Sequence, residues 1–443
     1  MRPERPNIIL LTVDCLRADH LGCFGYDRET SPTVDLLAKN GVLFTQAASV
    51  SSTTHLSFPA MLGSIYPLMC RNRNEVFSGA ISIANVLRET GYSTAAFHSN
   101  VRLSRRFGYH RGFDHFEDLA VYPHTDLVSR GLSKLMSKAK ILLRGGENPK
   151  ASGEEINEAV MEWVKKQNGD FFAWCHYMDA HVPYMPPAPY LSFFSDEKLS
   201  ERRLFRIYHN MLRTMNEPET EEMGLIVDLY DACVRYIDDC VKRLVEGLKD
   251  LDRLDNTVIL ITADHGEEFG EHGNLTHHRK LYDELIHVPL IIYNLKGCRS
   301  RVVETPVSLI DLAPTLADLA GAERVQRFKG ISMLPYIREG KRSRVGTISE
   351  ADGLLKGKML LENTRVIAYR TQRWKLIQIE KPYSFEMYDL KNDPSETRNV
   401  YEKNRNVARD LQERIEQHLE MIRTELRSSE KERISKALVK TRF

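Results

Sequence analysis

The sequence predicts an α/β protein built on a mainly parallel central sheet sandwiched by helices, with a small C-terminal α+β subdomain. Three observations carry this reading. Short apolar runs at Asn7 to Val13, Ser93 to His98, Phe171 to His176, Thr257 to Thr262 and Val288 to Tyr293 have the pattern of strands buried on both faces. Helical patterns lie between several of them: Ser31 to Asn40 opens on a Ser-Pro start signal and stops at Gly41, and Glu219 to Lys249 carries apolar residues at three- and four-residue spacing. After about residue 325 the character changes, with Arg365 to Glu380 and Phe385 to Leu390 reading as strands bounded by Lys381-Pro382 and Asp393-Pro394.

Alternating strands and helices favour a parallel sheet covered on both faces. A chain of 443 residues accommodates one large domain over 1–325 and a smaller unit over 326–400. Polar, basic stretches near 120–168 and 188–218 are too long for simple connections and are expected to form lids or helical insertions. The charged segment 401–443, ending SSEKERISKALVKTRF, is expected as a solvated helix or a frayed tail.

Lysine and arginine total 62 against 61 aspartate and glutamate, so no global field points to nucleic acid or a membrane surface, and anion binding must be local. The N-terminal apolar run, Ile8 to Val13, is far shorter than the ~20 residues of a spanning helix and lacks a signal-peptide pattern, so no transmembrane segment is expected. Seven cysteines, odd in number and without paired spacing, suit reduced thiols and a cytoplasmic location.

In open α/β sheets ligands gather beyond the carboxyl ends of the strands, which directs attention to Asp14, His181 and Asp264. In Thr262-Ala263-Asp264-His265-Gly266-Glu267-Glu268 a carboxylate and an imidazole stand side by side at a strand end, and the glycine lets the backbone turn away. Taken alone, this is equally the pattern of a turn with an exposed histidine. Asp14 closes the first strand and would meet Asp264 if the two strands are neighbours. The resulting oxygen-rich site with one imidazole suits one divalent ion, with Mn, Mg or Zn favoured over Ca. Asp19 reads as a helix cap or a partner of Arg17.

These motifs occur in a telling order: strand-Asp14, SPTVDLLAKNGVLF, SSTTHLSFPAMLGSIYP, HYMDAHVPYMPP, TADHGEEFGEHG and LYDELIHVPLIIY, closed by VSLIDLAPTLADLAG, RWKLI and MYDLKNDPSETRNV. The series resembles the sulfatase family of the alkaline-phosphatase superfamily from end to end, up to about Tyr401. That family's nucleophile motif is Cys-x-Pro-Ser-Arg, whose cysteine becomes formylglycine. Counting back from Tyr66-Pro67 places Thr54 on the nucleophile position and Ser57 on the motif serine, while Phe58 replaces the arginine. Cys70 lacks the Pro-Ser context, so no formylglycine is expected.

A threonine there resembles the superfamily's phosphodiesterases, phosphonate hydrolases and phosphoglycerol transferases, in which a metal-activated hydroxyl attacks phosphorus. Thr54 reads equally as the cap of a helix beginning near His55, and a helix start also favours an anionic substrate, so both readings can hold together. The resemblance implies a metal shell of Asp14, Thr54, Asp264 and His265. Cys15 stands where the family usually has a second aspartate. Asp179 and His181 are two apart, unlike the Asp-x-x-x-His pair of two-metal relatives, so a single ion is expected, with two ions as the alternative.

The resemblance also places His181 against the substrate, with a loop histidine as the plainer reading. It makes His277 or His278 the general acid, with spacing that does not choose between them, and puts Lys280 and Asn100 in substrate binding. Arg102, Arg105 and Arg106 read as a solvated basic face. The expected function is metal-dependent hydrolysis of a phosphate or phosphonate ester, the substrate being a small-molecule or a glycan- or lipid-linked anionic ester. Sulfate ester hydrolysis, phosphoglycerol- or phosphoethanolamine-type transfer, and an inactive anion-binding relative are the alternatives.

Overall fold

A computed structural model describes residues 5–70, 81–120, 150–197, 199–200, 203–204, 206–208, 220–340, 344–356 and 359–440. The large sheet holds β1 (Asn7–Val13), β2 (Val42–Phe44), β3 (Ser93–His98), β4 (His115–Asp118), β5 (Phe171–Tyr177), β6 (Thr257–Ala263), β7 (Leu290–Tyr293) and β8 (Arg301–Val303). Their spatial order is β8-β2-β7-β6-β1-β5-β3-β4. Strand β1 lies at the centre, parallel to β5 and β6, and β3 extends the parallel set to β4. Only β7 runs against its neighbours β6 and β2. All seven residues of β1, β5 and β6 are buried, as expected of strands covered on both faces.

Strand β7 begins two residues later than the apolar run suggested, because Pro289 has no amide to give to the ladder. Its carbonyl instead accepts the Thr262 hydroxyl at 2.7 Å.

Helices α1 (Pro32–Asn40), α2 (Thr54–Gly63), α3 (Ile83–Glu89), α4 (Gly153–Val164) and α5 (Thr220–Asp250) join these strands or pack on them. Pro32 starts α1, and the helix's open amides at Thr33 and Val34 donate to the buried carboxylate of Asp238 on α5, at 3.0 and 2.8 Å. Helix α4 falls inside the stretch expected to form an insertion, yet it is a core element. It opens with a Ser152–Glu155 capping box and buries Ile156, Val160 and Val164. Residues 121–149 and 209–219, where about half of the expected insertions fall, lie outside the described residues.

The C-terminal unit is an antiparallel sheet of β9 (Gly346–Lys356), β10 (Met359–Thr371), β11 (Trp374–Ile379) and β12 (Ser384–Asp389). The run Arg365 to Glu380, expected as one strand, is the hairpin β10–β11. The turn is made by the Thr371 hydroxyl, which accepts the Trp374 amide at 2.8 Å, so no glycine or proline marks it.

Helices α6 (Asp283–Ile286), α7 (Leu312–Leu319) and α8 (Leu334–Glu339) follow α5 in the chain, and α9 (Arg405–Lys440) is a helix as expected of the charged tail, though not solvated on every side. Its first half buries Ala408, Leu411, Ile415 and Ile422 against β9–β12, in a second core that includes Val50 and Ala60 from around α2. Charged residues on the outer face hide this stripe in the composition. Among the described residues no helix is long and apolar enough to cross a membrane, and no disulfide joins the cysteines.

Ile415 is fully buried in the second core, so Ile415→Ala should cost about 2–5 kcal/mol. A lowered urea midpoint would show this, and an unchanged midpoint would mean that α9 does not hold the C-terminal sheet.

Candidate active site

The pairing of β1 with β6 places Val13 opposite Ala263, and the next residues, Asp14 and Asp264, emerge together at the carboxyl edge of the sheet. Both are fully buried. Asp264 Oδ1 accepts the His265 amide at 3.1 Å, whereas Oδ2 is buried with no hydrogen-bond partner. Burial, with the charge of Asp14, raises the Asp264 carboxyl, while Asp14 is held well below the usual range because His181, His176 and His265 together outweigh its own burial.

His265 Nδ1 lies 2.9 Å from the Gly266 carbonyl and so carries the proton, which leaves Nε2 with its lone pair toward the cluster. Around that nitrogen stand Thr54 Oγ1 at 3.2 Å, Asp264 Oδ2 at 3.5 Å and Asp14 Oδ1 at 3.7 Å. Ligands bonded at ~2.1 Å in octahedral geometry sit ~3 Å apart, so a single cation can gather these donors with small movements. The orphaned Asp264 oxygen, the two adjacent buried carboxylates and the His265 tautomer all fit a divalent ion there.

Thr54 is the first residue of α2, and the N-cap is Thr53. Its hydroxyl therefore looks into the cluster instead of capping the helix, 3.5 Å from Asp14 Oδ2. The loop before it is pinned by Ser49, whose hydroxyl donates to the Asp264 carbonyl and lies 3.1 Å from Ser57 Oγ. Ser57 in turn donates to the Ser51 carbonyl at 2.9 Å. Phe58, at the arginine position of the resembled motif, is buried among Tyr109, Trp174 and His176, and brings no charge to the cleft.

On the other side of the cluster the rings of His265 and His277 lie 4.5 Å apart, and those of His277 and His181 5.0 Å apart. His277 Nδ1 is 3.0 Å from Glu267 Oε1. Burial works against a charged ring, but the Glu267 carboxylate prevails and raises its pKa. His278 is set differently: burial and the neighbouring cations His277 and Lys280 push it down to about 4, and its carbonyl accepts the Ser52 hydroxyl at 2.8 Å. Burial and Lys150 push His181 down to about 3, and its Nδ1 lies 2.6 Å from the Val182 carbonyl.

Two expected substrate contacts are engaged elsewhere. Lys280 donates to both oxygens of the buried Glu268, at 2.9 and 3.0 Å, and to the His272 carbonyl at 2.7 Å, so its ammonium is spent on the fold. Asn100 donates to Asp14 Oδ2 at 2.8 Å and accepts the Arg102 amide at 2.9 Å, so each end of its amide is engaged within the fold and it orients a carboxylate. Arg102, Arg105 and Arg106 are exposed. Asp179 accepts from the Gly153 amide at the start of α4.

Other residues complete the cluster without having been singled out in the sequence. His176 lies 3.4 Å from Asp14, Glu267 holds His277 and accepts the Tyr184 hydroxyl at 2.8 Å, and Lys150 donates to the carbonyls of His181 and Val182 at 2.8 and 2.9 Å. A histidine as the penultimate residue of a buried strand was the available signal for His176, and the acidic run after Asp264 was the signal for Glu267. Lys150 carried none.

Buried carboxylates, an imidazole and a helix-borne hydroxyl at the carboxyl edge of such a sheet define a hydrolase site of alkaline-phosphatase-like architecture. Comparison gives the family. The Sulfatase family model matches residues 6–322, and the model described as N-sulphoglucosamine sulphohydrolase, C-terminal, matches residues 270–425, so the chain belongs to the sulfatase family. A sulfatase of Escherichia coli K12, YidJ, itself uncharacterised, is 25% identical over 96% of this chain and 89% of its own length. A structure described as in complex with its substrate D-glucosamine-2-N,6-O-disulfate is similar with a TM-score of 0.75 and 20% identity, over 95% of this chain and 99% of that one. A phosphonate monoester hydrolase of Agrobacterium radiobacter matches with a TM-score of 0.74 and 22% identity, over 95% and 96%.

Because Lys280 and Glu268 form a buried pair, Lys280→Met should lower stability by about 3–5 kcal/mol by stranding the carboxylate. Thermal unfolding reads this directly, and recovery in Lys280→Met/Glu268→Gln would confirm the cause.

Proposed function

We propose that this sulfatase-family hydrolase cleaves phosphate or phosphonate esters, with Thr54 as nucleophile. The observation that carries this reading is the Thr54 hydroxyl itself, buried at the head of α2 and 3.2 Å from His265 Nε2, at the position where the family's sulfate chemistry calls for a cysteine-derived group. Asp14, Asp264 and His265 would hold one divalent ion, with Thr54 Oγ1 completing the approach. Such an ion lowers the pKa of the hydroxyl and offsets the charge of the ester.

The chain's own residues supply the rest. Asn100 and His176 hold Asp14, and Ser49 ties the loop of the nucleophile to the loop of Asp264. Thr54 Oγ attacks phosphorus in line as its hydroxyl proton passes to Asp14 Oδ2, the acceptor it faces at 3.5 Å, and the bond to the leaving oxygen breaks on the far side. His277, whose pKa Glu267 raises, gives its proton to that oxygen, and the same ring later takes a proton from the water that releases the phosphorylated threonine. His181 stands beside it and contacts the ester.

Four measurements test this reading. With manganese present, Thr54→Ala should lose turnover of aryl phosphodiesters and phosphonates by about a thousandfold or more, the scale expected when a hydrolase nucleophile is removed. Full activity in that variant would end the assignment, and cleavage of an aryl sulfate alone would end the preference for phosphorus. His277→Gln should cost ~10²–10⁴-fold on esters with a poor alcohol leaving group and much less with nitrophenol, which leaves unaided. Chelation should abolish activity, with manganese or magnesium restoring it, and Asp264→Asn should weaken manganese binding more than ~10-fold.

A further inference from the structure

Cys15 takes no part in the ester chemistry proposed above, yet its thiol lies fully buried in the floor of the same cleft. Its backbone is held at φ 62, a conformation that residues with a side chain rarely adopt. Tyr230 secures that peptide: its hydroxyl donates to the Cys15 carbonyl at 2.8 Å and accepts the Arg17 amide at 2.9 Å. Sγ thereby comes to lie 3.2 Å from Asp14 Oδ1 and 3.4 Å from His277 Nδ1.

Beyond it are two imidazoles. One donor atom from each of Cys15, His181 and His277 lies within 4.8 Å of the other two. Both rings are already oriented, His277 by the Glu267 carboxylate at 3.0 Å and His181 by the Val182 carbonyl at 2.6 Å. Ligation through Nε2 of each ring leaves Nδ1 with that carboxylate or carbonyl, the support that metal-ligating histidines need. Zinc bonds of ~2.0–2.3 Å set tetrahedral donors ~3.3–3.8 Å apart, so movements of about an ångström would close this trio around an ion. A sulfur with two imidazoles selects a thiophilic or borderline ion, whereas the neighbouring set of two carboxylates, a hydroxyl and one imidazole suits a harder one.

We propose that Cys15, His181 and His277 form a second cation site, for an ion of the zinc class, and that filling it silences ester cleavage. Binding replaces the Cys15 S–H bond with a sulfur–metal bond and releases the proton to solvent. The ion also occupies a nitrogen of His277 and fixes the ring that would otherwise serve the leaving oxygen. The existence of the site stands on the geometry alone, and the inhibition rests on the role given to His277 above.

Cobalt(II) titration of the full chain separates the two claims, since thiolate ligation produces a near-ultraviolet sulfur-to-cobalt charge-transfer band that an oxygen and nitrogen shell lacks. The wild type should bind two cobalt ions per chain with the band present. Cys15→Ser should bind one and lose the band, while His181→Gln and His277→Gln should weaken the band-forming ion at least ~10-fold. Thr54→Ala should keep the band while turnover disappears. With manganese-loaded enzyme, zinc should inhibit, and the half-inhibiting concentration should rise at least tenfold in Cys15→Ser.

No band in the wild type, or a band that persists in Cys15→Ser, overturns the site. A band insensitive to both histidine variants but lost in Asp264→Asn would put Cys15 in the oxygen-rich shell, and overturns it too. A band without zinc inhibition overturns the silencing. Failure to cleave any phosphorus ester would remove the reading of the enzyme's activity and leave the cobalt result to decide the site.

Discussion

Two carboxylates forced into contact organise this molecule. The parallel register of β1 and β6 leaves Asp14 and Asp264 side by side, fully buried, at the edge of a sheet whose interior is otherwise apolar. Like charges in a medium of low polarity repel strongly unless positive charge or donors compensate. Much of the surrounding structure does this work: the amide of Asn100, the imidazoles of His176, His181 and His265, and the Thr54 hydroxyl all converge on the pair. One Asp264 oxygen makes no hydrogen bond, and that residual demand is what a cation would meet.

The C-terminal unit contributes to the same site from outside. Strand β9 runs along the segment before α2, with the Ser349 hydroxyl donating to the Ser49 carbonyl at 2.6 Å and the Glu350 amide to the Val50 carbonyl at 2.7 Å. Glu350 is in turn held by His418 of α9 and accepts the Leu68 amide at 2.7 Å. The loop that presents Thr54 is thus clamped between the large sheet, through Ser49 and the Asp264 carbonyl, and the small sheet, through Ser349 and Glu350. Both contacts are to backbone atoms, which sets the position of the nucleophile without spending its hydroxyl.

Replacing the motif arginine by Phe58 has a structural counterpart. The phenyl ring packs edge-on against Tyr109 and His176 and tilted against Trp174, so the wall of the cleft is aromatic where a guanidinium would have been. The ammonium groups of Lys150 and Lys280 are bonded to carbonyls and to Glu268 within the fold.

By itself the sequence determined the fold class, the buried strands and the motifs Asp14, Thr54, Asp264 and His265, because each lies in a local pattern: an apolar run, a chemical residue at its end, a turn. Strand-end carboxylates are legible when the strands are, and their meeting required only that β1 and β6 be neighbours. Tertiary structure alone decided what lay between segments. It bonded Lys280 to Glu268 and Asn100 to Asp14, distinguished His277 from His278 by placing one ring against Glu267, and added His176, Glu267 and Lys150 to the cluster. It also buried one face of α9, whose charged outer residues dominate its composition. The physical reason is common to these cases: a charged or amide side chain bonds to whatever the fold brings within about 3 Å, and that partner lies far away in the chain.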